Sequence, residues 1–225
     1  MFYSPLSFLF MVLLFALILF FFTMMQINVI AVAFERIGIP SHYVMSALMA
    51  SFLGSLINIP IKRIPQEAMT DKKTITFFGF RYVIPKTQKD YTVLAVNVGG
   101  AIIPFCISVY LLLKTGLYLQ GVIATGCTAL AAYRMARPIP GVGIALPFFL
   151  TPVLAAVISV IIAYGNAPVV AYISGSLGTL IGADILNLNK ISHLGAPIAS
   201  IGGAGTFDGV FLSGILAVIL STILV

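Results

Sequence analysis

Between Pro138 and Ala183 the chain reads PIPGVGIALPFFLTPVLAAVISVIIAYGNAPVVAYISGSLGTLIGA, without one charged side chain. A globular core of this size could not absorb an uncharged run of that length, whereas two membrane spans and a tight turn absorb it easily. The surroundings agree. The whole chain is 225 residues, 60% hydrophobic and only 8% charged, where a soluble domain carries about a quarter charged residues. The apolar runs are long and unbroken, not short segments of alternating polarity, which favours helices over a barrel because backbone polar groups in hydrocarbon must be satisfied within the segment.

The expected fold class is therefore all-α: a polytopic transmembrane helical bundle of about seven spans, forming a single integral membrane domain over 1–225. The spans fall near 6–34, 43–61, 93–113, 117–134, 144–164, 168–187 and 206–225. The first has no basic residue before it and is too long for a signal-peptide core, so it is read as a retained span although Ala31-Val32-Ala33 resembles a cleavage site. Residues 62–92 form a polar cytoplasmic insertion between spans two and three. Within it Thr74–Lys86 (TITFFGFRYVIPK), β-branched and aromatic around Gly79, predicts a small β-hairpin outside the bilayer.

The net charge of +6 is read as sorting across a membrane, with no nucleic-acid partner. Lys62, Arg63, Lys72, Lys73, Arg81, Lys86, Lys89, Arg134, Arg137 and Lys190 fall in the connections after spans two, four and six, leaving Arg36 and Lys114 on the other side. Positive-inside bias then predicts a multi-pass protein of the cell membrane, N-terminus cytoplasmic and C-terminus extracytoplasmic. Cys106 and Cys127 lie in apolar runs and are read as small core residues. Arg137-Pro-Ile-Pro-Gly141 is read as a stiff cytoplasmic connection.

An internal echo joins Leu53-Gly54-Ser55-Leu56-Ile57 to Leu177-Gly178-Thr179-Leu180-Ile181, each upstream of a Gly-Gly-Ala, at Gly99-Gly100-Ala101 and Gly202-Gly203-Ala204. Spans one to three would then repeat as five to seven in the same orientation, with span four as linker, a 3+1+3 plan.

Of six acidic residues, Glu35, Glu67, Asp71 and Asp90 have charged neighbours and read as solvated surface. Asp184, near the end of span six, and Asp208, opening span seven, do not. An Asp in mid-membrane costs about 2.5–3.5 kcal/mol on insertion scales. Antiparallel neighbouring spans would bring the two to similar depth, where a close pair cannot both ionise and could act as acid and base on water. The plainer alternative has Asp208 capping span seven.

Gly202, Gly203 and Gly205 permit close helix approach or backbone amides turned toward a substrate or ion; with no preceding predicted strand they are not read as a dinucleotide fingerprint. Asn58 and Asn97 occupy places in the first copy close to those of the two acids, as interhelical hydrogen-bonding residues or part of a polar pathway. His193 shares the side of Asp184 and Asp208, which leaves a three-ligand cation site open; no metal or cofactor is otherwise called for.

Gly182-Ala-Asp184-Ile-Leu-Asn-Leu188 and Ser200-Ile-Gly-Gly-Ala-Gly-Thr-Phe-Asp208-Gly209 resemble the signature of a bacterial and archaeal multi-pass family catalogued as a domain of unknown function. The resemblance implies a prokaryotic membrane protein and transfers no activity. A looser one, in Gly205-Thr-Phe-Asp208, is to the aspartyl intramembrane proteases of the presenilin, signal-peptide-peptidase and prepilin-peptidase group; here Phe207 stands where that motif has Gly, and no Tyr precedes Asp184. That likeness implies catalysis by Asp184 and Asp208. Three functions follow as expectations: a di-aspartyl intramembrane peptidase with a membrane-protein substrate; a proton- or cation-coupled transporter or channel for a small solute, using the same acids on a plan similar to the 3+1+3 sugar transporters; or a membrane scaffold docking through the hairpin. Beyond the lipid bilayer, no partner and no oligomeric state can be read.

Overall fold

A computed structural model describes residues 15, 28–65, 74–77, 80–83, 91–139, 143–147, 149–193, 196–203 and 209–225. Its helices are α1 (28–36), α2 (Val44–Ser55), α3 (Ile103–Thr115), α4 (Tyr118–Met135), α5 (Leu150–Ile162), α6 (Ala167–Thr179) and α7 (Gly209–Leu224). Seven strands accompany them: β1 (Asn58–Pro65), β2 (Thr74–Phe77), β3 (Phe80–Val83), β4 (Tyr91–Asn97), β5 (Arg137–Ile139), β6 (Gly143–Ala145) and β7 (Ile198–Ile201).

The fold is mostly helical but not all-α. β1, β4 and β7 form a sheet in the order β1-β4-β7, with β4 antiparallel to β1 and parallel to β7. This corrects the reading of 43–61 and 93–113 as uninterrupted spans. Helix α2 stops at Ser55 because Pro60 has no N–H to give a helix, its ring would strike the carbonyl of Leu56, and it holds Ile59 extended. Tyr91-Thr-Val-Leu-Ala-Val-Asn97 alternates buried and half-buried positions along β4 before the backbone turns helical, as β-branched residues on a pleated surface do.

The hairpin expected over Thr74–Lys86 is present: β2 and β3 pair antiparallel from Thr74↔Val83 to Phe77↔Phe80. The connection that begins at Arg137 pairs with itself, Pro138 lying opposite Ile144 in β5 and β6.

Helix α6 is the centre of the bundle, with Val170, Tyr172 and Ile173 fully buried. A Cβ on Gly182, in the turn that follows α6, would collide with Ala129 and Ala132 of α4, so the two backbones touch there. Phe34 and Ile37 beside α1, Leu111 of α3 and Phe211 and Ile215 of α7 complete the main core cluster.

Alongside this apolar core, several polar side chains lie inside while large apolar ones lie outside. Ser108, Thr128, Ser159, Ser174 and Ser176 are buried, while Leu119 is 71% and Ile161 78% exposed. Cys106 and Cys127 are likewise exposed, not core residues. Two helical stretches, Val98–Thr115 and Tyr164–Ser192, are long and apolar enough to cross a membrane, and Met45–Ser55, Leu150–Ile162 and Gly209–Leu224 are shorter apolar helices. Most of the expected first span lies outside the described residues.

Candidate functional site

The site forms where α6 breaks. After Thr179 the backbone widens into a π turn, Leu180–Asp184, then tightens into a 3₁₀ segment, Ile185–His193. Such a change frees carbonyls from regular pairing. Asn187, fully buried, takes up two of them: its Nδ2 donates to the carbonyls of Gly182 (3.0 Å) and Ala183 (2.9 Å). Lys190 Nζ donates to Asn187 Oδ1 at 2.6 Å and lies 5.1 Å from the centroid of the Tyr133 ring. The Asp184-x-x-Asn187 spacing thus has a physical basis: one residue repairs the helix break while the other projects from it.

Asp184 accepts a hydrogen bond at 2.7 Å from the amide of Gly202. Gly202 and Gly203 both have positive φ, +82° and +90°, and turn the chain sharply after β7, with the Gly203 amide donating to Ser200 O at 3.1 Å. Side chains rarely adopt that backbone, and a Cβ on Gly202 would also strike the backbone of Gly100 and Ala101. Gly202 therefore packs against the first Gly-Gly-Ala motif. Among the described residues no cationic side chain pairs with Asp184.

Asp184 lines a cavity of about 300 Å³ bounded by α5, α6, α7, β4, β6, β7, the π turn and the 3₁₀ segment. Thr151, Thr179, Ser200 and Ser213 are its hydroxyl-bearing lining residues, and Leu94, Ile144, Leu188 and Val210 form part of its apolar wall. Gly203 and Gly209 border it as well.

Asn58 and Asn97 do meet, but on strands rather than between spans. Asn97 Nδ2 donates to Asn58 Oδ1 (3.1 Å) and to Ser55 O (2.6 Å), while its Oδ1 accepts from the Gly100 amide (2.7 Å). Ser200 Oγ donates to Asn58 Oδ1 at 2.6 Å, tying this network to the cavity wall. Of the other expected site residues, Asp208 and Gly205 lie outside the described residues, as does the side chain of His193. Sequence reasoning passed over the four hydroxyls. Ser and Thr inside otherwise apolar helices were the available signal, since lipid gives them no hydrogen-bond partner and drives them inward.

A mostly helical protein with many large apolar side chains exposed and, among the described residues, one acid lining a cavity at a helix break is the class that fold and site define. The chain belongs to the family described as protein of unknown function (DUF1614), which matches residues 52–220. No curated protein and no solved structure matches it, so the likeness of Gly205–Asp208 to the aspartyl proteases gains no support there.

Proposed function

We propose that this is a multi-pass membrane protein that binds and moves a proton or cation through the Asp184 cavity, as a coupled transporter or a channel. The observation that carries this is an acid without a cationic partner among the described residues, facing a cavity where a helix is broken. Irregular backbone is tolerated at membrane depth only where protein buries it or a cavity adjoins it, and broken helices are a common means of building ion sites. Intramembrane acids mark ion or substrate paths by default.

The end of the bundle with the sheet carries Lys62, Arg63, Arg134, Arg137 and Lys190, whereas Lys114 reaches the Gly38 carbonyl at the opposite end (2.6 Å). That polarity favours the sheet end in the cytoplasm. The test is flux in proteoliposomes: Asp184→Asn should abolish ion-gradient-dependent uptake while the variant remains folded. Undiminished flux in that variant would end the proposal.

One observation favours a second reading, the di-aspartyl peptidase. Gly209 borders the cavity and is bonded to Asp208, and β7, an edge strand among the described residues, lines the same space; an extended segment could add to such an edge. In this reading Asp184→Asn and Asp208→Asn each abolish cleavage of a membrane-protein substrate, and neither affects ion flux.

A further inference from the structure

The carrier reading leaves the solute open, and the hydrogen-bond directions around the cavity narrow it. Thr179 Oγ1 donates to the Gly175 carbonyl at 2.6 Å. A hydroxyl has one proton, so in the 3.2 Å contact between Thr179 and Ser213 Ser213 is the donor. Ser200 spends its proton on Asn58 Oδ1. Three of the four hydroxyls on the wall therefore have only lone pairs left to offer.

Asp184 is an acceptor when ionised, and one of its oxygens is already engaged by Gly202. The fourth hydroxyl, Thr151 Oγ1, is buried on a side chain only 2% exposed and has no hydrogen-bond partner among the described residues. A buried polar atom left in that state costs free energy unless an occupant satisfies it. The side chains thus present a surplus of acceptors around one carboxylate. They fit a positively charged ligand rich in N–H donors.

Size and the remaining wall decide between cations. About 300 Å³ far exceeds a bare alkali ion and lies at the lower end of small-molecule sites. Leu94, Ile144, Leu188, Ile191, Ile198 and Val210 line it, offering an apolar surface that an inorganic ion cannot use. We propose that the Asp184 cavity binds a small primary alkylammonium compound, its ammonium held by Asp184 and the neighbouring hydroxyls and its short alkyl body against the apolar wall. This rests on the carrier reading for its role in transport, not for the binding itself.

The experiment is calorimetric titration of the full chain in detergent with n-butylammonium chloride, butan-1-ol and sodium chloride at matched ionic strength. Saturable binding of butylammonium is expected, with none for butanol. Asp184→Asn keeps an oxygen for the Gly202 amide but removes the charge, and should weaken binding about 10- to 100-fold. Thr151→Val, nearly isosteric, should weaken it about 2- to 10-fold. Ser108→Ala, also at a buried unpartnered hydroxyl but away from the cavity, should leave it unchanged.

Equal binding of butanol, displacement by sodium at concentrations comparable to those of butylammonium, or full affinity in folded Asp184→Asn would each overturn the proposal. Should Asp184→Asn fail to fold, Thr151→Val against Ser108→Ala decides the same question. Asp184-dependent flux without butylammonium binding overturns this inference and leaves the carrier reading standing; binding without any flux does the reverse.

Discussion

β4 and β7 lie side by side and parallel, Val93 opposite Ile198 through Val96 opposite Ile201. Each runs into a Gly-Gly-Ala and then, further on, an apolar helix, α3 or α7. The two units share a plan and differ in what fills the turn. After β4, Asn97 is 1% exposed, accepts from Gly100 within the turn and donates to Ser55 and Asn58. A Cβ on Gly99 would drive into the α2 backbone at Ser51 and Ser55, and Ser51 Oγ donates to the Gly99 carbonyl at 2.9 Å. That unit is closed on itself.

After β7, the Gly202 amide is met instead by an acid from another element, Asp184, and the turn borders a cavity. One copy has its polar groups spent on structure; the other has acceptors to spare. The lesson is that a repeated motif need not have repeated surroundings: close packing closes the first turn on itself, and a broken helix beside the second leaves it bordering a cavity.

This contrast sets an order of effects on stability, followed by thermal melting in detergent. Gly99→Ala should be the most damaging change, about 3 kcal/mol at the upper end of overpacking, because the obstacle is backbone and cannot rotate away. Asn97→Ala strands the buried Gly100 amide and takes a donor from the Ser55 carbonyl, and should cost about 2 to 3 kcal/mol. Asp184→Asn should cost less than about 1 kcal/mol, since an amide oxygen still receives the Gly202 N–H, while removing flux. Deleting Lys72–Lys86 should change neither stability nor flux; loss of function there would favour docking through the hairpin. A Gly99→Ala protein as stable as the parent, or an Asp184→Asn protein as damaged as Asn97→Ala, would remove the distinction between the copies.

The contrast was partly legible beforehand. The two Gly-Gly-Ala motifs, the hydrogen-bonding character of Asn58 and Asn97, the hairpin over 74–86 and the lack of a charged sequence neighbour at Asp184 could all be read from residue types and spacing. The sheet could not be seen by hydropathy alone, because Asn58-Ile-Pro-Ile and Tyr91-Thr-Val-Leu-Ala-Val score as membrane span as readily as strand. Pro60 and the β-branched enrichment were the arbiters. The cavity was harder still. Thr151, Thr179, Ser200 and Ser213 come from three helices and a strand, so only tertiary packing reveals that their hydroxyls share a space. The repair of the helix break by Asn187 was likewise invisible, since nothing in Ile-Leu-Asn-Leu announces a π turn giving way to 3₁₀.

Cysteine accessibility probes the difference between the copies directly. With Cys106 and Cys127, both exposed, replaced by Ala, Ser213→Cys on the cavity wall and Ser51→Cys under the closed turn are exposed in turn to a cationic and an anionic methanethiosulfonate. Ser213→Cys should react with the cationic reagent faster than with the anionic one and be protected by n-butylammonium, while Ser51→Cys reacts with neither. Equal reactivity at both positions, or a preference for the anion at Ser213→Cys, would contradict an acid-centred cavity confined to the second copy.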